Sequence, residues 1–247
     1  MNVVTTRIPE SIADAPISGA AELRADSATD ERTGAFSLDG NAGAVAFHAD
    51  YFDRSTDDVR IPGYAQSDAL RRALVETGET PDDVPGRLPN SASDSRGGAL
   101  GVSFIGDAGF GGLSWNRYES AYGIPAEEEA FIDMQQDRFD ARGEWLANGD
   151  WLDTLHLSGA YSDYTHTEFE APGEPGTVFN QNSYELRATA DHHWGDSWRG
   201  TIGAQYVDID FEAIGEEAFV PASVTHALSV FAFEERHFDR WTLELGA

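Results

Sequence analysis

The side chains able to do chemistry in this chain are imidazoles and carboxylates. There are seven histidines and no cysteine, so neither a thiolate metal site nor a cysteine nucleophile is available. One candidate ligand group is His166 with Asp163 and Glu168, beside a connecting segment. A second is the acidic run Glu127, Glu128 and Glu129. A zinc or transition-metal site needs three or four convergent N/O ligands, and no spacing here matches a ligand motif. His192 and His193 are adjacent on an alternating segment, so they point to opposite faces and do not chelate together. These residues read equally as polar surface. No G-x-S-x-G and no zinc-protease motif is present, so no enzyme activity, catalytic residue or cofactor is expected.

The elements that position these groups are strands. From Asn182 to Phe211 the chain alternates twice around Gly195-Asp196-Ser197. Tyr184, Leu186, Ala188, Ala190 and His192 share one parity; Glu185, Arg187, Thr189, Asp191 and His193 share the other. That is a β-hairpin with one apolar and one charged face. The apolar face is thin, built of Ala, Gly, Leu and Tyr with Trp194 and Trp198 flanking the turn. Such a texture suits lipid on one side and a watery lumen on the other.

The same alternation recurs along the chain. Residues 1–19, with Pro9 and Pro16, read as a lead-in. Strands are predicted at 20–28, 31–39, 44–55, 97–106, 109–122, 131–147, 151–168, 182–194, 198–211, 223–237 and from 241 to the end. Between the third and fourth lies a long connection, 56–95, with a short helix over 67–76 capped by Ser67 and ended by Gly78. His48, His156 and His193 fall on the polar parity and are placed to line a lumen. The fold class expected is all-β.

Two regularities select an architecture. Short turns near 40–43, 107–108, 148–150, 195–197 and 238–240 alternate with mostly longer connections near 56–95, 123–130, 169–178 and 212–222, as in outer-membrane barrels. Trp145, Trp151, Trp194, Trp198 and Trp241 all lie beside short turns, where a membrane boundary suits an apolar ring with a polar N–H. Eleven strands are odd, whereas closed bacterial barrels are even-numbered. The chain therefore reads as part of a larger transmembrane antiparallel barrel, an open curved sheet with two unpaired edges.

The net charge is −28, and all sixteen basic residues are arginine, so nucleic acid is excluded as a partner. No apolar run reaches the ~18 residues of a transmembrane helix. An acidic surface fits cations or lipopolysaccharide bridged by divalent ions.

A series of short motifs resembles the TonB-dependent outer-membrane receptors, nearest to the branch that includes zinc receptors. It runs through Asn2-Val3-Val4, Arg7-Ile8-Pro9, Glu22-Leu23-Arg24, Ile61-Pro62-Gly63 and Leu88-Pro89-Asn90-Ser91. It continues through Tyr122-Gly123-Ile124-Pro125, Asp133-Met134, Arg138-Phe139-Asp140, Gly215-Glu216-Glu217-Ala218-Phe219-Val220-Pro221 and Phe233-Glu234-Glu235. The resemblance implies the end of a plug over 1–19 and the first half of a 22-stranded barrel over 20–247, with the plug and TonB box lying outside this chain. It further implies the Gram-negative outer membrane, the TonB complex as partner of the full-length protein, and energised uptake of a metal ion or metal chelate. The His-rich insertion of the zinc branch is replaced here by Ala126–Ala130. A passive porin-like barrel and a soluble secreted acidic β-protein are the alternatives.

Overall fold

The computed structural model describes residues 5–81, 85–125, 127, 129–215 and 218–247. Asn2-Val3-Val4, Glu128, Glu216 and Glu217 lie outside them. One helix and eleven strands follow each other in the order β1 (Ile17–Ala25), β2 (Arg32–Ala42), β3 (Val45–Thr56), α1 (Asp68–Thr77), β4 (Ser93–Gly106), β5 (Gly109–Gly123) and β6 (Phe131–Leu146). Then come β7 (Leu152–Ala171), β8 (Glu174–Trp194), β9 (Trp198–Gly215), β10 (Ser223–His237) and β11 (Thr242–Gly246). All strands belong to one antiparallel sheet in strict chain order, with β1 and β11 as its ends. The open sheet expected from the alternation is thus what forms.

α1 is bounded as its caps dictate. The Ser67 hydroxyl accepts the Leu70 N–H at 3.3 Å, and Gly78 turns left-handed at φ 85°, closing both ends.

One expectation fails. Residues 169–178, read as a loop because of Pro172 and Pro175, form a hairpin tip: β7 runs to Ala171 and β8 starts at Glu174. Gly173, at φ 86°, makes the tight turn. Pro175 pairs with Phe169 between register shifts, and such bulges tolerate a residue with no N–H to donate. Alternation of short and long connections therefore breaks at this hairpin. It holds for 57–92, 124–130 and 216–222 on the same rim.

The register lays side chains in straight rows across the sheet. On the apolar face one row is Leu100, Trp115, Phe139, Tyr161 and Tyr184, each opposite the next. Within it the Phe139 and Tyr161 ring centres lie 6.5 Å apart and those of Tyr161 and Tyr184 4.7 Å. The next row toward the long loops is Arg117, Asp137, Asp163 and Asn182. Arg117 pairs with Asp137 at 3.1 Å, and Tyr161 donates to Asn182 at 2.9 Å. The upper half of β5, irregular as a sequence pattern, is this charged belt. At the other end Trp145, Trp194 and Trp198 share the apolar face, with Trp194 opposite Trp198. Between these rows the apolar side chains stand exposed: Leu113 by 62% and Val230 by 76%. A soluble sheet would cover them.

Much of the burial lies on the polar face, and over β3 to β6 the lead-in contributes to it. Ile8 is buried, and the Arg7 carbonyl sits where a side chain on Gly101 would stand. Gly112 likewise leaves room for Ile8. Arg7 reaches Asp50 at 3.6 Å and Glu10 reaches Arg142 at 2.5 Å. Residues 7–10 thus cross β3 to β6 on the inside of the wall.

Candidate functional site: the polar wall and its aromatic row

The polar face is a lattice of cross-strand pairs. His48 sits between Asp39 at 2.7 Å and Asp50 at 3.0 Å. His156 sits between Glu144 at 3.3 Å and Asp191 at 3.0 Å, and Asp191 also accepts from Thr201 at 2.5 Å. Gln205 links Arg187 and Glu185, at 3.0 and 2.8 Å. Each imidazole has both ring nitrogens engaged by carboxylates, so these histidines are crosslinks of the wall and have no lone pair turned to a ligand.

Toward the long-loop end the wall changes character. A single register row crosses seven strands: Phe52, Gly97, Tyr118, Gln136, Tyr164, Gln181 and Phe211. Aromatic rings alternate with glycine or an amide. Phe52 and Tyr118 lie 6.1 Å apart across Gly97. Beside this row His166 meets Tyr164 edge-on at 5.5 Å and stacks on Phe179 at 4.4 Å, and Phe179 reaches Phe211 at 6.4 Å. Rings with amides between them offer flat apolar faces plus donors and acceptors, a surface suited to planar aromatic ligands.

The sequence-derived metal candidates distribute differently. His166 and Glu168 share the polar face, 3.8 Å apart. Asp163, at odd spacing from both, projects from the other face in the charged belt. Glu127 and Glu129 lie in the connection 124–130, and Glu128 is outside the described residues. Among the described residues no group of three or more His, Asp or Glu could hold a metal ion. The aromatic row escaped sequence reasoning because its members are spread over strands far apart in the chain.

The long connections above the row are tied together. Arg60 places one guanidinium nitrogen 2.6 and 2.7 Å from the two Asp30 oxygens, and Arg87 joins at 3.3 Å. The Asn90 amide lies 3.0, 2.9 and 2.6 Å from the carbonyls of Ile124, Glu127 and Ala130. Asn90 has φ 54°, a conformation Asn tolerates better than most residues. Ser91 accepts from Val59 N–H at 2.9 Å and donates to Leu88 O at 2.7 Å. The Ile61 N–H donates to Gly86 O at 3.1 Å and the Gly86 N–H to Gly63 O at 2.6 Å, so the Ile61-Pro62-Gly63 and Leu88-Pro89-Asn90-Ser91 motifs are loop fasteners.

No protein-family model matches the chain. Its fold does match solved structures. BauA, the ferric preacinetobactin receptor from Acinetobacter baumannii, superposes with a TM-score of 0.59 at 11% identity, over 92% of this chain and 41% of that one. Fiu, the ferric-catecholate import receptor of E. coli K12, gives 0.49 for its open form and 0.45 for its closed form. Identity is 12% in both, over 91% and 90% of this chain and 48% and 44% of those. The chain spans less than half the length of the structures it matches. At such identity the likeness to BauA speaks for the fold alone: an eleven-stranded portion of a β-barrel.

Proposed function

We propose that this chain is part of the wall of a TonB-dependent receptor in the Gram-negative outer membrane, and that its ligand is a metal chelate with aromatic arms. One observation carries the reading: the sheet has an exposed apolar face bounded by aromatic rows and, behind it, a charged face whose loop end is paved with rings. A spanning strand of ~9–11 residues needs an apolar band between aromatic girdles on one face only. The rows from Trp194 to Tyr184 supply it.

Of the expected division at 1–19 and 20–247, the end of a plug reaches to Pro16 and the barrel begins at Ile17, because Ile17, Ser18 and Gly19 already pair with β2. The lead-in bound to the polar face through Arg7, Ile8 and Glu10 supports that division. TonB engages the full-length receptor outside this segment. Of the two ligand classes, a bare metal ion needs convergent N/O donors, whereas a chelate brings its own ligands and asks for flat contacts. The stacked row favours the chelate, with His166 and Glu168 at its edge. Its chemistry is binding and passage, with no bond made or broken.

The test is fluorescence titration of the chain refolded in detergent, with ferric tris-catecholate and with Zn²⁺. Saturable quenching by the chelate is expected. A saturable zinc response with the chelate silent would overturn the ligand class. Recovery of a folded chain from water without detergent would overturn the membrane assignment.

A further inference from the structure

We infer that the lipid-facing side carries a phospholipid site, with the phosphate held by Arg236 near the short-turn rim and one acyl chain lying in a trough of small residues. The inference rests on the outer-membrane reading above. The trough is a groove of about 610 Å³ on the apolar face. Gly159, Ala188 and Ala204 form its floor; Leu157, Leu186 and Leu228 wall it. Where side chains on neighbouring strands are this small, the wall recedes, and a flexible alkyl chain regains the dispersion contacts that the recess forfeits.

The same face continues down β9 and β10 through Ile202 and Ala232 to the register trio Trp198, Arg236 and Leu243. Arg236 is exposed and has no ion-pair partner among the described residues. Its guanidinium lies 5.5 Å from the Trp198 ring centre and 4.9 Å from that of Phe238. The adjacent carboxylate is occupied: Glu234 accepts from Trp198 Nε1 at 2.6 Å and faces His192 Nε2 at 3.2 Å. A guanidinium resting against rings keeps N–H donors for a bidentate oxyanion, and the Glu234 carboxylate is already engaged. The cation is left for an anion from outside the chain. Asp239, in the adjoining turn, favours a headgroup that also carries an ammonium.

The dimensions agree. Arg236 and Leu228 are eight residues apart on one strand, roughly 26 Å at ~3.3 Å per residue. At a tilt of ~45° that is about 18 Å of depth in a ~30 Å hydrocarbon core, so a chain anchored at Arg236 enters the trough with its far end, near and just past the middle of the band.

The experiment is native mass spectrometry of the full chain in detergent micelles, titrated with phosphatidylethanolamine and with diacylglycerol, which lacks the phosphate. Retention of the phospholipid alone is expected. Arg236→Gln and the trough-filling Ala188→Leu should each weaken it about tenfold, equivalent to ~1.4 kcal/mol. Circular dichroism establishes that each variant is folded; a folded Arg236→Lys should keep part of the affinity. Equal retention of diacylglycerol, or wild-type retention by folded Arg236→Gln, overturns the site. So does a dimer that Ala188→Leu abolishes and phospholipid leaves intact, because the trough then seats a second copy. Failure of the outer-membrane reading looks different: the wild-type chain would stay behind when phospholipid vesicles are floated on a density gradient.

Discussion

The imidazole of His166 lies almost flat on the ring of Phe179, with 13° between their planes, and the two residues are register partners on β7 and β8. Neighbouring strands thereby present a continuous flat patch, extended by Tyr164 and Phe211. Removing the ring with Phe179→Ala should weaken binding of ferric tris-catecholate five- to tenfold, about 1–1.5 kcal/mol for one aromatic contact. Phe179→Tyr should keep most of it. Quenching titrations on the folded variants measure both.

The two faces make opposite demands on a new charge. Val230 and Ser229 are neighbours on β10 with opposite parity. Val230→Arg should destabilise the membrane-inserted sheet by about 2–4 kcal/mol, the cost of arginine in the lipid midplane. Ser229→Arg should cost less than about 1 kcal/mol, because its side chain enters the watery side. Urea unfolding in phospholipid vesicles gives the two values, and equal losses would contradict the assignment of faces.

Acid should loosen the loop rim only late. Hydrogen bonding from Arg60, aided by Arg87, holds the Asp30 carboxyl below its ordinary range. A depressed folded value means that the contact stabilises fully above the unfolded value of ~3.9 and is lost as pH falls through the lower folded value. Slow exchange of the Arg60 and Asp57 amides, which bond to Ala28 and Thr29 carbonyls, should therefore persist at pH 5. In Asp30→Asn both amides should exchange faster already at neutral pH, as seen by hydrogen–deuterium exchange.

Asn90 is a second fastener. Its amide group serves the connection 124–130, and leaving those carbonyls unpaired costs about 1–3 kcal/mol. Asn90→Ala should raise proteolysis within 124–130. Asn90→Gly keeps the positive φ without strain yet loses the amide, so it should be cut as fast as the alanine variant. Recovery in the glycine variant would assign the effect to backbone conformation.

The strands were legible because their signal is local: period-two alternation with glycine or asparagine turns located all eleven, and Ser67 and Gly78 bracketed α1 within a residue. Pro172 and Pro175 misled because a proline excludes a central ladder position but tolerates a tight turn or a bulge. The polar wall's contents were less readable. Parity showed that His48, His156 and His193 share a face, but not that carboxylates two strands apart enclose His156. The pairing of Phe52, Tyr118, Tyr164 and Phe211 depends on register summed over seven strands, which no window of the sequence contains. Asp163 illustrates the same limit in reverse: near His166 in sequence, it stands on the opposite side of the wall.

The β7–β8 hairpin gives the molecule a landmark. From Tyr161 to Ala171 is ten residues of strand, so its tip rises roughly 33 Å along the strand beyond the aromatic girdle at ~3.3 Å per residue. With only Pro172 and Gly173 at the apex, it is a thin mast. If the outer-membrane reading holds, an epitope grafted at Gly173 would be bound by antibody on intact cells with little disturbance to the wall below.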